Sequence, residues 1–157
     1  MIIGFPPCTD LSVAGAKHFE NKARRNPNFQ SDAMHMFRAP ERIAAGKTYM
    51  IENPISTASS LWRKPNFVFN PYDYGGYLPE DDKHPEFPEY IAPRDAYPKK
   101  TCLWTSEDFK MPPTKWVQWD VLSTQFLKLG GKSQKTKNIR SASPRGFFIA
   151  LAEQLAR

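Results

Sequence analysis

The sequence predicts an α/β fold with parallel strands in one open sheet and helices on its flanks. Two apolar runs, Met1 to Phe5 and Thr48 to Ile51, bracket a helical segment. A strand–helix–strand connection of this kind places its two strands side by side and parallel. Shorter apolar runs recur at Phe67 to Phe69 and at Thr101 to Trp104, and an amphipathic helix closes the chain. At 157 residues, a single domain covering 1–157 with a real core is expected.

The elements follow in order. Ile2 and Ile3 are β-branched and suit a buried strand over residues 1–5. Pro6 and Pro7 stop it, because neither donates a ladder hydrogen bond and each fixes φ. Leu11 to Phe29 is polar and reads as a long loop. Ser31 or Asp32 caps a helix running towards Ala45, with Met34, Phe37, Ile43 and Ala44 as its buried side. Pro40 bends or interrupts it, and Gly46 ends it. Thr48 to Ile51 is the second strand, with Glu52-Asn53-Pro54 at its carboxyl end.

Phe67-Val68-Phe69 is a third strand, and Pro71 to Gly76 a turn rich in tyrosine and glycine. Glu80 to Pro98 has no periodicity and reads as an extended surface loop. Thr101 to Trp104 is a fourth strand, with Cys102 inside it as a core residue. Ser143 caps the last helix and Pro144 fits its first turn. Phe147, Leu151 and Leu155 recur on one face, which is expected to pack on the sheet.

Charge is uneven along the chain. From Met111 onward the basic residues Lys115, Lys128, Lys132, Lys135, Lys137, Arg140, Arg145 and Arg157 face only Asp120 and Glu153. That excess accounts for the whole net charge of +6. The run Lys132 to Arg140, beside Gly130-Gly131, reads as a basic loop suited to phosphate contacts. No apolar run approaches the roughly 18 residues that span a bilayer. Residues 1–5 carry neither the charged lead nor the cleavage site of a signal peptide. Cys8 and Cys102 make no disulfide framework, and His18, His35 and His84 do not fall at zinc-ligand spacing. The expected setting is an intracellular, reducing one, without metal and without a membrane.

The predicted strand order puts Cys8 and Glu52 at the same edge of the sheet, the edge where open α/β sheets hold their ligands. A thiol there has two ordinary readings, a small buried residue or a nucleophile. The stiff diproline turn favours the second. No histidine neighbours Cys8, so a Cys–His arrangement has no support in the sequence. A carboxylate is a poor base for a thiol. As an acid, however, it can protonate a ring nitrogen that gains charge while a thiolate adds to the ring. Cytosine meets this requirement: addition at C6 pushes electrons to N3 and C5, and C5 then accepts a methyl group.

Pro6-Pro7-Cys8 and Glu52-Asn53-Pro54 resemble the two catalytic signatures of the cytosine-C5 DNA methyltransferases. The resemblance extends to a compact, phage-type branch. Pro6-Pro7-Cys8-Thr9 with Gly15, Ile51 to Pro54, Pro71 to Gly75, Lys100 to Trp104, and Arg140-Ser141 through Pro144 to Gly146 fall in its order and span nearly the whole chain. The resemblance implies a partial Rossmann-like, methyltransferase-type sheet. It makes Cys8 the nucleophile at C6, lets Glu52 bind and protonate N3, and has Asn53 steady that loop. Pro7 and Thr9 would line the base site, and Lys99 or Lys100 falls where larger relatives carry arginines near the target base. The target cytosine would be flipped out of the duplex. Lys132, Lys135, Lys137 and Arg140 would track DNA phosphates, and residues 107–140 would form a small recognition region.

Pro6, Ser141 and Ser143 correspond to positions near S-adenosylmethionine, the implied cofactor. The family's glycine-bearing turn for that cofactor should precede the Pro-Pro-Cys strand, and only five residues do here. The chain therefore resembles the carboxyl-terminal part of a methyltransferase, with an amino-terminal methyltransferase subunit as a partner beside DNA. The implied setting is the cytoplasm of a bacterium or a phage-infected cell. Three alternatives stay open: an inactive DNA-binding or anti-restriction relative, a non-functional gene fragment, and a tRNA cytosine methyltransferase.

Overall fold

The structure, a computed structural model, describes all residues except Thr124, Gly130, Gly131 and Lys132. The fold is mixed α/β and divides into two compact units. The first comprises Met1–Val68 and Lys100–Lys110, the second Phe69–Lys99 and Met111–Arg157.

Four strands form one open sheet: β1 (Ile2–Gly4), β2 (Tyr49–Pro54), β3 (Phe67–Phe69) and β4 (Thr101–Thr105). Their order across the sheet is β1-β2-β4-β3. β1 and β2 are parallel, with Gly4 opposite Ile51, as the strand–helix–strand pattern predicts. β4 runs antiparallel to β2, pairing Ile51 with Trp104, Glu52 with Leu103 and Asn53 with Cys102. The sheet is thus mixed. β2 also extends further than its apolar run: Glu52, Asn53 and Pro54 lie within the strand, because β4 supplies partners for them.

Side chains alternate across a strand, so Ile51, Asn53, Cys102 and Trp104 share one face. There Ile51, Cys102 and Trp104 form a core with Leu11, Phe37 and Ala58. The Phe37 ring meets Trp104 edge-on at 5.1 Å, and the Trp104 indole N–H donates to the Arg63 carbonyl at 2.7 Å. Cys102 is buried here, as its apolar neighbours predict.

The helix between β1 and β2 is two helices, α2 (Phe29–Phe37) and α3 (Ala39–Ala44), with Pro40 in the first turn of α3. Proline is tolerated there, since its missing N–H has no intrahelical partner to lose. The break resets the helical phase. Phe37 and Ala44 are buried as expected, but Ile43 is 68% exposed. Ala45 and Gly46, at φ of 47° and 86°, end the helix in the left-handed region. Strand β1 carries Gly4 where a Cβ would stand 2.1 Å from the Pro40 ring. Gly4→Ala is therefore expected to cost about 1–3 kcal/mol through overpacking, read by chemical denaturation.

The segment Leu11 to Phe29 is structured rather than a loop. It holds a 3-10 turn at Val13–His18 and helix α1 (Phe19–Arg25). Neither buries a residue, which is why no apolar periodicity announces them. A Glu20–Arg24 ion pair at 2.5 Å and the Phe19–Phe29 ring contact at 5.6 Å support α1 instead. After β2, the short α4 (Ala58–Leu61) places Ala58 in the core.

In the second unit, α7 (Arg145–Leu155) packs on the 3-10 turn Pro71–Tyr77. Phe147 stacks on Phe69 at 4.5 Å and meets Tyr74 edge-on at 5.1 Å. Leu155, expected on the buried face, is 59% exposed. Ser143 does not cap this helix; the residue before it is Pro144, which offers no side-chain bond. The cap comes from far in sequence: Asp95 Oδ2 accepts the Gly146 N–H at 3.0 Å. Gly146 is required because a Cβ there would stand 2.3 Å from the Tyr74 carbonyl oxygen.

Glu80 to Pro98 is no surface loop. Ile91, Ala92 and Tyr97 form a second core with Ile139, and Asp82, His84 and Asp95 are buried. The basic run is not a loop: past α5 (Gln125–Lys128), residues Gln134–Ser141 form helix α6. Ser133 caps it, its Oγ accepting the Thr136 N–H at 3.1 Å.

Candidate functional site

Cys8 sits on the turn that leaves β1, half-buried between exposed Pro7 and Thr9. The Cys8 carbonyl accepts the N–H of Leu11 at 3.1 Å and of Ser12 at 2.7 Å, which closes the turn on itself. Leu11 is fully buried and anchors it to the core.

The continuation of β2 holds this turn. Asn53 donates from Nδ2 to the Pro6 carbonyl at 3.0 Å. Ser12 and Ser56 form an antiparallel bridge, flanked by Val13 N–H to the Ile55 carbonyl at 3.2 Å and Thr57 N–H to the Leu11 carbonyl at 2.8 Å. Thr57 Oγ1 donates to that same Leu11 carbonyl at 3.2 Å. The chain leaving Cys8 and the chain leaving Glu52 are therefore knitted together beyond the ends of two parallel strands. Lys22, on α1, adds a clamp from outside: its Nζ donates to the Thr9 carbonyl at 3.1 Å and to Asp10 at 2.5 Å. Leu11, Ser56, Thr57 and Lys22 have no motif of their own, and only the fold reveals their part in holding the turn.

Glu52 is half-buried in β2, and Asn53 is 1% exposed. By strand alternation their side chains leave opposite faces of the sheet. Asn53 Oδ1 and Ser56 Oγ are buried without a hydrogen-bond partner, leaving acceptor capacity beside the turn. A cleft of about 210 Å³ opens on the Pro7 side, lined also by Asp10, Phe29, Asp32 and Met36.

The two cysteines differ in kind. Burial, helped by the negative charge of Glu52, pushes the Cys102 thiol up, so it stays protonated and inert. Brief alkylation of the native chain with iodoacetamide is expected to label Cys8 and spare Cys102, read by peptide mass mapping.

The remaining sequence candidates lie mainly in the second unit. Lys99 Nζ donates to the Ala142 carbonyl at 2.8 Å, at the end of α6. Lys100 is exposed just before β4. Lys135, Lys137, Arg140 and Ser141 are exposed on α6, and the Ser141 hydroxyl donates back to the Asn138 carbonyl at 3.1 Å. Ser143 is half-buried before α7, and Lys132 lies outside the described residues. Among the described residues no group of three metal-ligating side chains occurs, and no helix is long and apolar enough to cross a membrane.

The fold and site together define a mixed α/β protein with a thiol on the turn that follows β1 and a carboxyl within the neighbouring parallel strand β2. Comparison with protein-family models, with curated proteins and with solved structures found no match to the chain.

Proposed function

We propose that this chain is the catalytic part of a DNA (cytosine-5) methyltransferase, acting on a flipped cytosine, and that its sheet is the carboxyl-terminal part of a Rossmann-like, methyltransferase-type sheet. The observation that carries the reading is the Asn53–Pro6 bond across the parallel β1–β2 pair. It ties the Pro-Pro-Cys turn to the strand that bears Glu52, which is the tie a shared cytosine site needs.

In this reading the Cys8 thiolate adds to C6 while the Glu52 carboxylic acid gives its proton to N3. The electron pair of the C5–C6 bond then makes C5 nucleophilic. Asn53 is a positioning residue that holds the turn. S-adenosylmethionine is the methyl donor this reading implies, and the positions that resemble its contacts already have partners. The Pro6 carbonyl is engaged by Asn53, the Ser141 hydroxyl by the Asn138 carbonyl, and the cleft beside Pro7 falls below the roughly 300–1,000 Å³ of sites for ligands of that size.

The addition step has a signature that needs no methyl donor. C5 of the adduct takes a proton from water. Loss of the original C5 hydrogen and departure of the Cys8 sulfur restore cytosine, and N3 returns its proton to Glu52. A duplex tritiated at cytosine C5 should therefore release tritium with the wild-type chain and not with Glu52→Gln. Absence of release from the wild type, or equal release from Cys8→Ser, overturns the reading. DNA binding without chemistry is the second reading, favoured by the excess of positive charge after Met111, and it predicts no release.

A further inference from the structure

We propose that α6 is a groove-reading helix: its outward face enters the major groove of duplex DNA, with Gln134 and Asn138 at the base edges and Lys135, Lys137 and Arg140 on the flanking phosphates. The inference deepens the proposed function by naming the reading element, and rests on it for the choice of DNA.

Only Thr136 and Ile139 of this helix are buried, and Ile139 belongs to the core of Ile91, Ala92 and Tyr97. The opposite side is exposed throughout. At 3.6 residues per turn, Gln134, Asn138 and Ser141 form its central ridge, with Lys137 beside them. Lys135 and Arg140 fall on the two flanks. Gln134 Nε2 donates to Asn138 Oδ1 at 2.8 Å, so the two amides lie one turn apart on the same line. Lys135 lies over the Tyr90 ring at 4.8 Å, which orients that flank.

Two kinds of chemistry thus share one helix. Amides are the side chains that pair bidentately with adenine in the major groove, and flanking cations pair with phosphates. No acidic residue occurs between Asp120 and Glu153, so nothing on this stretch repels a polyanion. An α-helix with its side chains is about 10–12 Å across, and a major groove about 12 Å wide admits it. The deep, narrow groove of duplex RNA does not.

The test is duplex DNA binding by fluorescence anisotropy, on the full chain carrying Cys8→Ser so that no adduct contributes. Lys135→Ala with Lys137→Ala is expected to weaken binding about tenfold for every sequence and to flatten the log–log salt slope by about two. Lys135→Arg with Lys137→Arg should keep wild-type binding, which separates lost charge from lost fold. Gln134→Ala with Asn138→Ala should keep non-specific affinity but lose preference in selection from randomised duplexes. The proposal is overturned by an unchanged alanine pair, by an arginine pair that falls as far, or by duplex RNA bound as tightly as DNA. Loss of binding in the alanine pair without tritium release overturns only the catalytic reading. Tritium release with unaffected α6 variants overturns only this proposal.

Discussion

Cys8→Ser is expected to reduce tritium release from C5-labelled cytosine to background while leaving the thermal unfolding midpoint within about a degree of wild type. The fold is insensitive because the Cys8 thiol is half-buried and the turn is held by backbone: the Cys8 carbonyl receives Leu11 and Ser12, and Asn53 holds the Pro6 carbonyl. None of these bonds uses the sulfur. The chemistry is sensitive because a serine hydroxyl, with a far higher pKa, supplies almost no anion to add at C6. Asn53→Ala should behave differently. It removes the bond to Pro6 and should cost about 1–3 kcal/mol as well as activity. A Cys8→Ser chain that still releases tritium would show that another residue attacks the ring.

Asp82→Ala is expected to destabilise the fold by about 3 kcal/mol, measured by urea denaturation. Arg145 donates to both Asp82 oxygens, from Nη1 at 2.8 Å and Nη2 at 2.6 Å, and Asp82 also accepts the Arg94 N–H at 2.7 Å. Asp82 is buried and Arg145 three-quarters so; removing the carboxylate leaves a guanidinium with poor hydration. Loss of one partner of a buried pair costs about 3–5 kcal/mol, and the partial exposure of Arg145 places this case at the lower end. Asp95 remains 3.7 Å away as a weaker partner.

The pH dependence checks the assignment. The hydrogen bonds from Arg145 hold the Asp82 carboxyl below its ordinary value of 3.8. A lowered folded pKa contributes stability that is present above 3.8 and lost as pH falls through the folded value. The gap between wild type and Asp82→Ala should therefore narrow as pH falls below 3.8. Burial pushes Asp95 the opposite way, so its contribution is present below 3.8 and lost as pH rises through its raised value. Asp95→Asn removes that opposing slope and should steepen the acid side of the stability profile.

Much of the first unit was legible because its signals are local. β-branched runs mark β1 and β2, prolines mark the stop after Gly4, and the connection between them sets their parallel pairing. Ile43 departs from its expected burial because Pro40 splits the helix and resets its phase. α1 and α6 are illegible in the sequence for another reason. One buries nothing and the other buries Thr136 and Ile139, so neither carries an apolar period. Glu80 to Pro98 misled in the opposite direction: its buried Ile91, Asp95 and Tyr97 are held by partners remote in sequence rather than by regular structure.

By itself, then, the sequence determined the turn that presents Cys8, the strand that leads into Glu52 and the excess of positive charge after Met111. Each depends on residue type and short spacing, which φ preferences and side-chain chemistry decide. Only the tertiary structure decided that β4 enters the sheet antiparallel beside β2, that Asn53 reaches Pro6, that Asp95 caps α7, and that the basic run is a helix with one face in the core. Those depend on contacts between distant residues, and their energies come from burial and hydrogen-bond partners that no local pattern specifies.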